Sequence, residues 1–522
     1  MRDLLTRSLL VGCVALVACD TKTTDAPATK ADAALSGDTA ASGDAAQGDA
    51  AGADAAPKRA ALPNDLSGVW YPETVTQSST PYWAPGKHLA LGDAVRHGAL
   101  RDVRGLIHAH SVFSHDACDG KPVDDKGASN EPCLADFRND LCKVKHDFIM
   151  LTDHPDRFAE HEFPEVLLYD AKRGDVLIER DKTIIANQLT CPDTHGTLLM
   201  AGCEGDTMPV GLEGHAGADK AARQKAYRGS ASVDSFDRLH KAGALVIAQH
   251  TEDWSVDQLT KLPFDGFEMY NVHNNMVLRI KLIGKLIPVL LDPTKSPAPD
   301  LILLPLLYED PIYQASWGSV LAAGSHRVGT MGSDCHQNTL NLPLGDNERV
   351  DSYRRLMGWF SNHLLVETDS GGAFDDRALK TALKKGRLYG VFEVMGYPEG
   401  FDFHARTGGS SDAVGKRSEM GDSPLLSLGV ELVVRRPSVA GRDPKTEAPA
   451  LTLRILRAKQ GGFDVVAEAK EGDLRWTVDQ PGAYRAEVRM TPKHLKPWVG
   501  AMPELATTEV IWIYANPIYV QP

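Results

Sequence analysis

The sequence predicts an α/β chain: a barrel of alternating strands and helices, followed by a small antiparallel β-sandwich. Three observations carry this. From about residue 104, short apolar runs (RGLIHAH, DFIMLTDH, TLLMAGCE, ALVIAQH, FDGFEMYN, RVGTMGSD) are separated by stretches with helical spacing, such as SVDSFDRLHKAG and YRRLMGWFSNHL. That alternation favours a parallel sheet or barrel. In nearly every run the apolar residues come first and a His, Asp or Glu arrives at the C-terminal end, where βα barrels build their sites. From about Gly408 the text changes to alternating strands (SLGVELVVRRPS, ALTLRILRA, FDVVAEA, RWTVDQPGAYRAEVRM, EVIWIYANPIYV) with no long helix between them. Gly482 in DQPGAYR supplies the flexible backbone of a turn.

Read from the N-terminus, the elements follow in order. Arg2 and Arg7 precede the apolar run SLLVGCVALVAC, which is too short to span a bilayer comfortably and ends in small residues. It reads as a secretion signal over residues 1–19. Leu16-Val17-Ala18-Cys19 resembles a bacterial lipobox, which implies lipidation of Cys19 and an exported lipoprotein anchored to the cell envelope, leaflet open. Residues 20–61 are mostly Ala, Asp, Thr, Gly and Ser without an aromatic residue, and predict a disordered tether. Residues 62–103, rich in Pro, Trp and Tyr, predict an ordered extension. The barrel domain is expected over 104–405 and the sandwich over 406–522. The later apolar stretch LIPVLLDPTKSPAPDLILLPLL is broken by Asp292, Lys295, Asp300 and prolines, so it does not read as a membrane span.

The 522 residues carry a formal charge of -14, and no cluster of Lys and Arg marks a nucleic-acid groove. Beyond Cys13 and Cys19, six cysteines remain, and an exported compartment permits them to form disulfides. If PCLADFRNDLCKVK is helical, Cys133 and Cys142 lie too far apart along its axis to bridge each other. Six cysteines leave the connectivity open: Cys118 could pair with either one, and Cys191 with Cys203.

His108 and His110, Asp153 and His154, Glu204, His250, Asp334 and His336 all fall at the ends of predicted strands. Residues two apart on a strand face the same way, so His108 and His110 can point at one ion. A set of His, Glu and Asp without clustered cysteines suits borderline divalent ions such as Zn, Mn or Fe. At least four histidines and three carboxylates on one rim are enough for more than one ion.

These motifs resemble the PHP (polymerase and histidinol phosphatase) superfamily of metal-dependent phosphoesterases. HAHSVFSHD matches its opening His-x-His motif, DFIMLTDHP its Thr-Asp-His, and AGCEGD its bridging glutamate. VIAQHTED supplies the mid-domain histidine and TMGSDCHQN the closing Ser-Asp-x-His. The resemblance covers about residues 100 to 400 and implies a distorted (β/α)7 TIM-like barrel with two or three divalent ions. It implies that His108, His110, Glu204 and Asp334 surround a first ion, with Glu204 bridging to a second held by His250 and completed by His215. A third site uses Asp116, His154 and His336. Here the usual Ser-Asp-Gly is Ser114-His115-Asp116, so either Asp116 acts from a shifted position or His115 substitutes.

The implied reaction is hydrolysis of a phosphomonoester or phosphodiester by metal-activated water. Asp153 is expected to orient a neighbour, and His154 or His336 to protonate the leaving group if the third ion is absent. Arg157 is a candidate phosphate contact, and Tyr270 and Asn271 candidate pocket residues. The alternatives are a carboxylic or carbamic esterase on the same site, or an envelope binding protein whose metal barrel is only structural. No P-loop, Rossmann fingerprint or nucleophile elbow is present.

Overall fold

The apolar runs pair edge to edge into a closed barrel of seven strands in the computed structural model of the chain. It describes residues 96–193, 195–272, 274–275, 292, 295–307, 309–407, 416–421 and 426–522. The strands are β1 (Leu100–Ala109), β2 (Phe148–Met150), β3 (Gly196–Gly202), β4 (Met208–Leu212), β5 (Leu245–Ala248), β6 (Gly266–Asn271) and β7 (Val328–Cys335). β1 pairs parallel with β2, β2 with β3, β5 with β6, β6 with β7, and β7 again with β1, which closes the ring. β4 runs antiparallel to both β3 and β5. The signal at 1–19 with Cys19, the tether at 20–61 and most of the 62–103 extension lie outside the described residues. Among the described residues no helix is long and apolar enough to cross a membrane.

The expected helix-surrounded (β/α)7 barrel is therefore corrected to a mixed β-barrel with extra strands, in which only 26% of residues are helical. Two places break the alternation. Between β2 and β3 the chain forms an antiparallel hairpin, Val176–Arg180 with Thr183–Thr190, whose second strand pairs with β3. Between β3 and β4 it turns directly, without a helix. A five-residue strand containing Pro209 and Gly211 leaves too short an apolar signal to read as a run. YRRLMGWFSNHL, expected as a helix, is divided between a short helix, Tyr353–Met357, and strand Ser361–Val366 antiparallel to β1.

Where helices do cross over, their sequences explain them. In Glu131–Val144 the Asn130 side chain caps Cys133 N, and Cys133, Phe137, Leu141 and Val144 form one buried stripe. Val233–Lys241 starts with a reciprocal Ser232/Ser235 capping box and buries Phe236 and Leu239 before β5.

Among the described residues most of the C-terminal strands form two largely antiparallel sheets. Lys416–Glu419, Asp402–Thr407, Glu431–Arg435 and Leu474–Thr477 make one sheet, in that order. The second contains Ala450–Lys459, Gly462–Ala469, Gly482–Thr491 and Val510–Ala515. This second sheet continues into the barrel, because Val510–Ala515 pairs with Leu388–Val391, which pairs with Ser361–Val366 beside β1. Asn516 seals the junction: its side chain accepts from Gly329 N at 2.8 Å and donates to Gly329 O at 2.9 Å.

Among the described residues two disulfides are present, Cys118–Cys133 and Cys142–Cys191. The expected Cys191–Cys203 bridge does not form; Cys203 and Cys335 are free thiols buried in the core.

Candidate metal centre

The strand ends bring their polar residues together at one mouth of the barrel. Three of these residues hold left-handed backbone: His108 at φ 75°, His250 at φ 45° and Asp334 at φ 54°. Such conformations cost roughly 1–3 kcal/mol each in a non-glycine residue and persist where the surroundings impose them, characteristically at functional sites. His108 and His110 thus converge through a twisted strand end rather than by simple pleat alternation.

Glu204, just past β3, lies at the centre. Its Oε1 is 3.2 Å from His108 Nε2 and 3.1 Å from His250 Nε2. Its Oε2 is 3.3 Å from His110 Nε2 and 3.6 Å from His154 Nδ1. Asp334 Oδ1 stands 3.3 Å from the Nε2 atoms of both His108 and His110, and its Oδ2 is 3.7 Å from His250 Nε2. Ligand atoms of His108, His110, Glu204 and Asp334 all lie within 4.8 Å of one another, as do those of His110, His154 and His336.

Asp116 joins the second of these groups, its Oδ1 3.6 Å from His154 Nε2 and its Oδ2 3.3 Å from His336 Nε2. His115 is exposed and pairs with Asp156 at 3.3 Å, its ring 5.2 Å from that of His154. The loop carrying Asp116 is docked by backbone bonds from Cys118 N and Asp119 N to the His336 and Gln337 carbonyls, both 3.0 Å.

Each first-motif imidazole is braced from behind. His108 Nδ1 meets Glu268 Oε1 at 2.6 Å; Glu268 Oε2 accepts from His250 N and from Asn271 Nδ2, both at 3.1 Å. Gly332 makes room for this pair, since a Cβ there would stand 1.8 Å from Glu268 Oε1. His110 Nδ1 meets Ser114 Oγ at 2.8 Å, and Ser114 Oγ donates to Asp153 Oδ1 at 3.1 Å. Asp153 also accepts from Ser111 N and Ser111 Oγ, so its carboxylate faces the supports and not the cluster. His336 Nδ1 is 2.9 Å from the Asp334 carbonyl, and its ring stacks on His110 with centroids 3.7 Å apart.

Four buried atoms at this centre, His108 Nε2, His110 Nε2, Glu204 Oε1 and Asp116 Oδ1, make no hydrogen bond; their contacts have ion-pair distances but not hydrogen-bond geometry. An unsatisfied buried polar atom costs about 1–3 kcal/mol, and the first three, which lie together around Glu204, fit a cation as their shared partner. Buried His, Glu and Asp groups thus lie close enough to hold a metal ion.

The charges gathered here stabilise one another. Burial opposes charge on His108, but the carboxylates of Glu268, Glu204 and Asp334 outweigh it and hold the imidazole well above its ordinary value. Burial likewise opposes charge on Glu204, yet the neighbouring His108, His110 and His250 hold it well below the usual carboxylate range. His154, despite burial, is raised to about 9 by Asp116 and Glu204. His336 is lowered to about 3 by burial and by His110. Burial raises Asp153.

Two expected site residues, His215 and Tyr270, lie elsewhere. His215 does not join the second site: its Nε2 meets the His161 carbonyl at 2.7 Å and its Nδ1 meets Tyr227 Oη at 3.1 Å, among Phe158 and Phe163. Tyr270 is core, not pocket, because a bulge in β6 opposite Thr330 and Met331 turns it toward Phe360 and Phe392, where its hydroxyl donates to Leu306 O. Arg157 Nε donates to the Val112 carbonyl at 3.1 Å. Asn271 is fully buried and orients Glu268. Sequence reasoning missed Glu268 and Glu252. Glu252, whose Oε1 is 3.6 Å from His250 Nδ1, accepts from the Tyr313 hydroxyl. Glu268 had a signal: a carboxylate inside the otherwise apolar run FEMY of a barrel strand.

No family model, curated protein or solved structure matches this chain.

Proposed function

We propose that the chain is an exported, metal-dependent hydrolase of the PHP type that cleaves a phosphoester. The observation that carries this reading is the convergence of His108 Nε2, His110 Nε2 and Glu204 Oε1, buried and without hydrogen bonds, on one point, with each imidazole braced from behind. In this reading His108, His110, Glu204 and Asp334 hold a first ion, Glu204 and His250 a second, and Asp116, His154 and His336 a third. The donors are imidazole and carboxylate without thiolate, which suits Zn, Mn or Fe. Divalent ions so clustered supply water as a nucleophile at neutral pH and polarise the phosphoryl oxygens.

The chain's own residues do the rest. Glu268 keeps the His108 proton on Nδ1 and so presents Nε2 inward; Asp153, through Ser114, does the same for His110. With the third position empty, His154 holds a proton at Nε2 beside Asp116 and gives it to the leaving oxygen. Export is supported by the apolar N-terminal segment ending at Cys19 and by two disulfides, which persist in oxidising compartments.

The test is to count bound metal in the purified chain and assay aryl phosphomonoesters, phosphodiesters and carboxylate esters, with chelator and with metal restored. Phosphoester turnover that chelator abolishes and metal restores is expected. Turnover of carboxylate esters alone moves the reading to a carboxylesterase, and a metallated chain inert on all three is a binding protein. Activity surviving in H108A/H110A overturns the site.

A further inference from the structure

Packing fixes the rings of His108 and His110, whose side chains are 0% exposed, but the His250 side chain is 30% exposed and has room to turn. Its backbone is already held at φ 45°: His250 N donates to Glu268 Oε2 at 3.1 Å, Thr251 Oγ1 to the Glu268 carbonyl at 2.5 Å, and Trp254 Nε1 to the Gln249 carbonyl at 3.0 Å. Only the ring remains to be set. Its Nε2 faces Glu204 and Asp334, while its Nδ1 faces the other way, 3.6 Å from Glu252 Oε1.

Glu252 sits in the short turn Thr251–Asp253, and its carboxylate is held from the side away from His250. The Tyr313 hydroxyl donates to Glu252 Oε2 and accepts from Asn274 Nδ2 at 3.0 Å. Asn274 N donates to Asn271 Oδ1 at 3.0 Å, and Asn271 Nδ2 to Glu268 Oε2, the carboxylate behind His108. Hydrogen bonds thus run without a break from His108 round the back of the centre to Glu252. Tyr313, buried, lies in the first turn of helix Pro311–Ala322, which is docked on the C-terminal sheet. Arg485 Nη2 donates to Gln314 Oε1 and Gly461 N to Ser319 Oγ, both at 2.9 Å, and a Cβ on Gly318 would stand 1.9 Å from the Gly462 carbonyl oxygen. So close a fit leaves the helix, and the hydroxyl it carries, little freedom to shift.

We infer that Tyr313 is a positioning residue for the second ion: it fixes the carboxylate of Glu252, which holds a proton on His250 Nδ1 and so presents Nε2 to the metal. This rests on the metal-centre reading above. A carboxylate behind a metal-bound imidazole sets both its tautomer and its orientation. Glu252 acts through His250 and not as a ligand, because it stands on the Nδ1 side of the ring while Glu204 stands on the Nε2 side. His108 needs no such phenol, since its own carboxylate, Glu268, is 0% exposed and already immobile.

The test titrates Co²⁺ into the full chain stripped of metal, reading its visible absorption bands, with H250A marking which equivalent is the second ion. Y313F keeps the ring and loses the donated bond; E252Q keeps the volume and loses the charge. Each is expected to weaken the equivalent that H250A removes by about 10–100-fold and to leave the others unchanged. The Y313F/E252Q pair should be no weaker than the worse single variant, and adding Y313F to H250A should change nothing further, because both residues act through one imidazole. A purely structural Tyr313 would instead weaken every equivalent, in the H250A background as well, together with a lowered melting temperature, and that result overturns the inference. A Y313F titration equal to the parent's overturns it while the metal centre stands. No Co²⁺ bound by the parent chain overturns both.

Discussion

Glu268 never reaches the middle of the metal centre, yet one of its oxygens meets His108 Nδ1 and the other accepts from the His250 amide and from Asn271. It thereby fixes the tautomer of one imidazole and the backbone that presents another. Glu268→Gln keeps the volume and removes the charge that favours the Nδ1–H tautomer. Supporting carboxylates of this kind are worth about 10–100-fold in metal affinity or activity. Competition with a chelator should therefore show E268Q releasing metal that much more readily, with its melting transition nearly unchanged. Equal retention in E268Q and the parent chain would reduce Glu268 to a packing role. Gly332 belongs to the same arrangement, since any side chain there would displace the Glu268 carboxylate.

At the scale of elements, the loop after β1 decides whether Asp116 joins the His154 and His336 group. Asp116 stands between His154 and His336 because two backbone bonds dock its neighbours on residues 336 and 337, and because Cys118–Cys133 ties the loop to the first crossover helix. That bridge spans a sequence separation of 15, for which loop-closure entropy suggests a stabilisation of about 3 kcal/mol. The C118A/C133A chain should unfold at lower denaturant concentration by that amount. It should also lose metal from the Asp116 group before the Glu204 group, so that metal content falls by a fraction and not to zero. Loss of all metal at once would show that the groups are one cooperative site.

At the scale of the whole molecule, a buried polar network joins the barrel to the C-terminal sheets. Asp102 contacts His363 Nδ1 at 2.9 Å and His97 Nε2 at 3.4 Å, and His97 Nδ1 reaches Asp402 at 3.2 Å. Glu393 meets His363 Nε2 at 3.3 Å and holds Arg104. Burial opposes charge on both histidines, but Asp102 and Asp402 raise His97 to about 9, and Asp102 and Glu393 raise His363 to about 9. Unfolded, both return to about 6.5. A folded value above the unfolded one means a contribution that is full below about pH 6.5 and lost as pH rises through about 9. The melting temperature should therefore fall between pH 7 and 9.5, and His363→Gln should flatten that fall. A profile flat over this window in the parent chain would contradict the charged network.

The metal-ligating candidates were legible in the sequence because the signal is local: an apolar run that ends in His, Asp or Glu is a property of neighbouring residues. RGLIHAH, DFIMLTDH and RVGTMGSD each carry it, and so their residues fall at strand ends on one mouth. The barrel's mixed character was not legible. The β4 strand is five residues with a proline and a glycine, and its antiparallel direction depends on partners in β3 and β5. The pairing of Glu268 with His108 crosses 160 positions, and the choice of Asp116 over His115 depends on where residues 336 and 337 dock. The sequence by itself determined which His, Asp and Glu residues end the apolar runs and so gather at one mouth. Only the tertiary structure decided strand direction, the bracing of each imidazole and the fusion of the C-terminal sheet to the barrel, because those are set by contacts between residues that local periodicity does not relate.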